Sequence, residues 1–411
     1  MTGATSSRPD SDISVTGTAA VVWDDALAAY DFGPGHPLAP IRVQLAMHLV
    51  TELGLLDGDN VTVIGPDPVD DELLTTVHER DYIEAVKRSS ADPSVHELHR
   101  GLGTDDVPTF RGMHEASRAV CGATLAAARS VFDGRSLHAV NLAGGLHHAM
   151  PGSASGFCVY NDIALAIQWL LDHGVGRIAY LDVDVHHGDG VQAAFWNEPR
   201  VLTVSVHESG RALFPGTGFP MEVGGPDAVG SAVNVALPPG TGDEGWLRAF
   251  HGVVPALVES FRPDVVVSQQ GCDTHADDPL AHLMLTVDGQ RLSYAAVHEI
   301  AHEYAGGRWV ATGGGGYSWI DVVPRAWSHL VGEVVGAPVP PETPLPESWR
   351  SFVTDRLKVP TPSLMTDGSE PRVRPWEQGY DPADPIDAAV LRTRDAVYPW
   401  HGLAADPYHG F

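Results

Sequence analysis

Five short apolar runs, rich in β-branched residues, punctuate the middle of the chain: HAVNLAGG (138–145), RIAYLDVDV (177–185), RVLTVSV (200–206), PDVVVSQQ (263–270) and RWVATGGGG (308–316). Runs that stay apolar at consecutive positions predict strands covered on both faces. Between them lie segments of helical spacing such as DIALAIQWLLDHG (162–174), where Asp162 is the expected N-cap and Gly174 the stop. Strand and helix alternating in this way predict a parallel α/β sheet with helices on both faces.

Ligands of such sheets bind beyond the carboxyl ends of the strands. Each run is followed at once by polar or glycine-rich sequence: His147 and His148, Asp184 to Asp189, His207 and Glu208, Asp273 to Asp278, and Tyr317. One edge of the sheet is therefore expected to gather them.

The last 76 residues, 336–411, hold 13 of the 32 prolines, which argues against a second α/β unit and for an extension wrapping the domain at 19–335. Residues 1–18 have no basic start or apolar run and are expected to be a flexible leader. With 43% hydrophobic and 19% charged residues, composition is that of a soluble protein, and no stretch reaches membrane-spanning length. The 53 acidic against 25 basic residues, net −28, disfavour nucleic acid and anionic lipid as partners and leave room for basic substrates. Three scattered cysteines with no C-x-x-C pair indicate neither a disulfide framework nor a cysteine zinc site, and a reducing cytoplasm is the expected location.

The densest chemistry is LDVDVHHGDG (181–190). In an extended strand Asp182, Asp184 and His186 share one face, and burying such a stack calls for a cation or matched hydrogen bonds. A catalytic zinc-type centre needs three protein ligands and one open position, so a third must come from another strand end. QGCDTHADDP offers Asp273, His275, Asp277 and Asp278, and spacing does not choose among them. The pair His147–His148 could exchange protons with a water bound there, with Asp182 and Asp189 orienting the imidazoles. TGGGGY (312–317) lacks the lysine and hydroxyl of a phosphate loop, so its glycines point to close backbone approach beside Tyr317.

Taken in order, GGLHHA, SGFCVYND, LDVDVHHGDG, VSVHE with LFPGTG, GCDTHADDP and GGGGY resemble the histone deacetylase superfamily. GLGTDDVPTFRGMHEAS (101–117) and MTDGSEPRVRPWEQGYDPADP in the tail are most similar to its bacterial acetoin-utilization deacetylases. The resemblance implies an arginase/deacetylase fold with an eight-stranded sheet and a zinc or ferrous ion hydrolysing Nε-acetyl-lysine amides. By position it implies Asp184, His186 and Asp273 as metal ligands, His147 and His148 as the tandem pair that supplies general base and acid, either one taking the water proton, and Asp182 and Asp189 as their respective carboxylates. Tyr317 matches the phenol that binds the substrate carbonyl. Gly156, Phe157, Phe214, Leu280 and Gly315 match the substrate tunnel, and Asp105 matches a rim carboxylate, with Asp106 beside it as the other choice. A structural potassium ion is implied at Asp182, the carbonyls of Asp184 and His186, Ser205 and Val206. The implied partner is an acetylated protein, acetyl-CoA synthetase among the bacterial targets.

Two rivals remain at this stage, a deacetylase of acetylpolyamines or other small amides and an inactive acyl-lysine-binding module. A binuclear arginase-like hydrolase is disfavoured because Gly188 stands where its D-x-H-x-D run needs an acid.

Overall fold

The computed structural model describes residues 17–406. Strands β1 (Ala19–Val22), β2 (Val61–Ile64), β3 (His138–Asn141), β4 (Ile178–Asp182), β5 (Val201–Glu208), β6 (Ala232–Leu237), β7 (Val265–Gln269) and β8 (Trp309–Thr312) form one sheet, ordered β2-β1-β3-β8-β7-β4-β5-β6. Every adjacent pair is parallel. Around it lie α1 (Ile41–Glu52), α2 (Asp71–Leu74), α3 (Arg80–Ala91), α4 (Met113–Phe132), α5 (Asp162–Asp172), α6 (Asp189–Ala194), α7 (Asp243–Phe261), α8 (Val287–Tyr304), α9 (Val323–Val335), α10 (Glu347–Leu357) and α11 (Pro385–Val397). This is the arginase/deacetylase fold.

Strand alternation feeds two cores. Ala179, Leu181, Val266 and Trp309 pack into the core shared with α1, α7, α8 and α9, whereas Ile178, Tyr180, Val267 and Val310 pack into the core shared with α3, α4 and α5. Covering both faces is what lets the strands be apolar at successive positions. The five runs named from the sequence each contain a strand. The expected helix at 162–174 forms, but its N-cap is Asn161, whose side chain accepts from Ala164 N. Asp162 sits one residue further in and is spent on tertiary bonds, accepting from Gly145 N, Leu146 N and the Thr124 hydroxyl at 3.0, 2.8 and 2.5 Å.

Residues 1–16 of the expected leader lie outside the described residues. Thr18 already belongs to the fold, since its carbonyl accepts from Leu137 N at 2.7 Å. Among the described residues no helix is long and apolar enough to cross a membrane.

Among the described residues the proline-rich extension adds no strand to the sheet, and it carries α10 and α11. Trp349, on α10, is fully buried and its indole donates to the Leu45 carbonyl at 3.1 Å. Asp387, on α11, is buried and accepts from Arg248 Nε at 2.5 Å, Arg248 Nη2 at 3.0 Å, Arg374 Nη2 at 2.7 Å and Asp381 N at 2.8 Å. Although burial opposes ionisation, these donors hold the Asp387 carboxyl below its ordinary range. Its stabilising share is therefore full above the unfolded carboxylate pKa and is lost as pH falls through the lower folded value. Asp387→Ala leaves the buried Arg248 guanidinium without its counter-charge, and denaturant unfolding at neutral pH should show a loss of about 3–5 kcal/mol. A loss within the range of surface substitutions would mean that the extension is not anchored there.

Candidate active site and metal centre

The carboxyl ends of β3, β4, β7 and β8 meet around one buried cluster. β4 ends at Asp182, so the pleat that was to place Asp182, Asp184 and His186 on one face does not extend past its first member. The chain beyond it is held by neighbouring strands instead: Val183 N donates to the Gln269 carbonyl and the Val185 carbonyl accepts from Glu208 N. This path turns Asp184 and His186 toward Asp273, and ligand atoms of the three lie within 4.8 Å of one another.

Backbone and side-chain donors fix both carboxylates, and each keeps one oxygen beside the His186 ring, although Asp184 Oδ1 also accepts from His186 N at 3.0 Å. Asp184 Oδ2 accepts from Gln269 Nε2 at 2.6 Å and Gly315 N at 2.8 Å, and its Oδ1 lies 3.1 Å from His186 Nδ1. Asp273 Oδ1 accepts from Val185 N at 2.9 Å, and its Oδ2 lies 3.2 Å from the same Nδ1. A tetrahedral site with ligand bonds of about 2.0–2.1 Å has edges of about 3.3 Å, so these separations fit a small divalent ion. Burial, then the adjacent Asp184 charge, hold Asp273 well above the ordinary carboxylate range. Against burial, hydrogen bonds to Asp184 and Asp273 raise His186 to about 10. The donor set thus calls for positive charge at its centre, as a two-carboxylate, one-imidazole metal site does.

Of the four alternatives in QGCDTHADDP, the structure brings only Asp273 to this cluster. His275 Nε2 faces Asp367 at 3.0 Å, Asp277 is exposed, and Asp278 accepts from Leu280 N and Tyr317 N at 2.9 and 2.8 Å. His187 likewise turns away, its ring nitrogens meeting Thr217 Oγ1 and Gln192 Oε1.

Beside the cluster stand two histidine–carboxylate pairs. His147 Nδ1 meets Asp182 Oδ2 at 2.8 Å, His148 Nδ1 meets Asp189 Oδ1 at 2.7 Å, and the two Nε2 atoms are 3.0 Å apart. Their environments push them in opposite directions. For His147 burial is outweighed by Asp182 and Asp184, raising it to about 9. For His148 burial and the neighbouring His147 prevail over Asp189, lowering it to about 4. Gly188 has a local reason to be glycine, because a Cβ there would stand 2.1 Å from Asp182 Oδ2. No acid fits at that position while Asp182 holds His147.

Above lies a pocket of about 290 Å³ lined by Asp106, His148, Gly156, Phe157, His186, Leu213, Phe214, Leu280 and Tyr317. The Phe157 ring stands edge-on to Tyr317 at 5.7 Å, and Phe214 edge-on to His148 at 5.0 Å. Phe157 takes a left-handed φ of 64°, costly for a non-glycine residue, and its carbonyl is pinned by the Tyr30 hydroxyl at 2.8 Å. At the rim Asp105 is exposed and outside the pocket. Asp106, its neighbour in the sequence, lines the pocket instead, its side chain turning inward to accept from Gly156 N at 2.8 Å. Gly315 is fixed by space, since a Cβ would stand 1.9 Å from Asp273 Oδ2.

Ser205 pairs in register with Asp182, and its hydroxyl meets His207 Nδ1 at 2.8 Å. Among the described residues the carbonyl oxygens of Asp184 and His186 accept no hydrogen bond.

Supporting residues went unassigned from the sequence. Gln269, which orients Asp184, had a signal in the paired glutamines ending an apolar strand. Arg42 had one as the only Arg or Lys in a helix rich in apolar residues; its guanidinium donates to the carbonyls of Gly314 and Gly316, on the loop that carries Tyr317, at 3.2 and 2.7 Å. Asp162, which holds the turn before His147, was hidden by its resemblance to a cap.

A parallel sheet whose strand ends assemble a two-carboxylate, one-imidazole centre beside paired histidines defines a metal-site hydrolase. A histone deacetylase domain is matched over residues 36–334, and the chain belongs to the histone deacetylase family. It is 42% identical over 352 residues to acetoin utilization protein AcuC of Bacillus subtilis (strain 168), covering 85% of this chain and 90% of that protein. AcuC of Staphylococcus xylosus is 38% identical over 355 residues, covering 86% and 91%. The crystal structure of an HDAC homolog from Aquifex aeolicus superposes with a TM-score of 0.78 at 26% identity, covering 92% of this chain and 99% of that one. The chain is accordingly a deacetylase.

Proposed function

We propose that this deacetylase hydrolyses Nε-acetyl-lysine in proteins, releasing acetate and free lysine, with Zn²⁺ or Fe²⁺ held by Asp184, His186 and Asp273. The observation that carries the reading is the floor of the aromatic pocket, where His148, His186 and Tyr317 converge. A bound ion supplies Lewis acidity at the acetyl carbonyl and lowers the pKa of attacking water.

The chain's own groups do the rest. The aromatic walls bury the four methylenes of the lysine stem, worth roughly 3 kcal/mol at about 0.8 per CH₂. His148, neutral and held by Asp189, removes a proton from water. His147, protonated and held by Asp182, completes the relay from which the leaving amine takes its proton. Tyr317 is half-buried; desolvation of its hydroxyl, then the charge of Asp273, keep the phenol protonated, so it donates to the developing oxyanion. A structural K⁺ at Asp182, Asp184, His186, Ser205 and Val206 belongs to the same reading, supported by the two unpaired carbonyls. The net charge of −28 suits a basic, lysine-rich protein surface as partner. Acetylated acetyl-CoA synthetase is the first such substrate to assay.

Acetate release from an acetyl-lysine peptide by Zn²⁺-loaded protein is the direct test. Turnover should vanish on chelation and return with Zn²⁺ or Fe²⁺, the better of the two identifying the working metal. No release with either ion loaded would sink the enzymatic reading in favour of an acyl-lysine-binding module. A kcat/KM higher for N-acetylpolyamines than for peptides would replace the protein substrate with a small amide.

A further inference from the structure

A second cluster of metal-ligating side chains lies at the opposite end of the sheet. His138 opens β3, the strand whose other end leads to His147, so the two clusters are separated by the sheet itself. His298 and His302 stand one turn apart on α8, and donor atoms of the three histidines lie within 4.8 Å of one another. The rings face each other at steep angles, with centroids 4.7 Å (His138–His298), 5.0 Å (His138–His302) and 4.7 Å (His298–His302) apart.

Hydrogen bonds decide which nitrogens face inward. His138 Nδ1 bonds the Val334 carbonyl at 2.9 Å, so this nitrogen carries the proton and Nε2 carries the lone pair. His298 Nδ1 bonds Glu333 Oε2 at 3.2 Å, which fixes the same tautomer. Its Nε2 is buried and has no hydrogen-bond partner. His302 Nε2 approaches His138 Nε2 at 3.0 Å and must donate to it; a tautomer shift within His302 turns that nitrogen into a third lone pair. Burial lowers both His138, to about 4, and His302, so both are neutral at physiological pH. A carboxylate and a carbonyl orienting imidazoles from behind is the arrangement that supports histidine ligands to metal.

We propose that His138, His298 and His302 bind a divalent transition-metal ion of borderline softness through their Nε2 atoms. Three imidazoles leave a fourth position to water and favour Zn²⁺, Cu²⁺ or Ni²⁺ over Mg²⁺ or Ca²⁺. The site ties β3 to α8, and through Glu333 and Val334 to the end of α9, so its role is to clamp the amino edge of the sheet.

Zn²⁺ is the probe. Full-length wild-type protein and a His298→Gln/His302→Gln variant are dialysed against the same micromolar free Zn²⁺, and their metal content is measured. The wild type should hold one more equivalent per chain, whether or not the deacetylase centre fills, because that centre is common to both. Glu333→Gln keeps all three imidazoles and should weaken the extra equivalent about 10–100-fold. Equal metal content in wild type and double variant, or, should the double variant fail to fold, unchanged Zn²⁺ affinity in Glu333→Gln, overturns the proposal.

Discussion

His148→Gln should lower kcat on an acetyl-lysine peptide by about 10²–10⁴-fold, the range expected for loss of a general base. The argument rests on the opposed shifts of the pair. With His147 raised to about 9 and His148 lowered to about 4, the two imidazoles 3.0 Å apart hold a single proton across the intervening range. Below the lower value both are protonated and the base is lost; above the upper value neither is, and the acid is lost. The wild-type kcat/KM profile should therefore rise with pH on its acid side and fall on its alkaline side. His147→Gln should abolish the alkaline limb. Asp184 helps to hold His147 up from 3.9 Å, so cation loading at the metal centre should move that limb to lower pH. A His148→Gln enzyme that keeps its rate, or a His147→Gln enzyme that keeps the alkaline limb, would contradict these roles.

The sheet was legible where its strands are buried on both faces. PDVVVSQQ and RVLTVSV announce themselves because consecutive apolar residues serve two cores. β1, β2 and β6 carry weaker signals. β1 is a four-residue AAVV, β2 is a partly exposed edge strand, and β6 places Asn234 in mid-strand, where its amide donates to Gln192 Oε1 at 2.8 Å. The crowding at 181–190 signalled a polar cluster, but its geometry was not in the alternation. The strand ends at Asp182, and backbone hydrogen bonds to Gln269 and Glu208, both distant in sequence, aim Asp184 and His186. Choosing Asp273 from its neighbours and Asp106 over Asp105 needed tertiary contacts for the same reason. Asp278 and Asp273 are alike in sequence, yet one bonds two backbone amides and the other faces His186.

Tyr317→Phe should reduce kcat by about 10²–10³-fold, equivalent to about 2.7–4 kcal/mol of transition-state stabilisation, while KM changes little. The substitution removes one oxygen and leaves the ring's supports in place. Phe157 packs edge-on at 5.7 Å, the Arg42 guanidinium sits 5.6 Å from the ring centroid, and the backbone N–H of 317 keeps its bond to Asp278. Phe157, Phe214 and Leu280, which line the pocket, are untouched, so substrate binding should be retained. The phenol's effect should concentrate in kcat because its hydrogen bond strengthens as negative charge develops on the carbonyl oxygen. The phenol can serve across the working pH range because burial, then the charge of Asp273, keep it protonated. Steady-state kinetics separates the alternatives: a rise in KM with kcat unchanged would make Tyr317 a tunnel wall like Phe157, and loss of the oxyanion contact alone predicts the reverse.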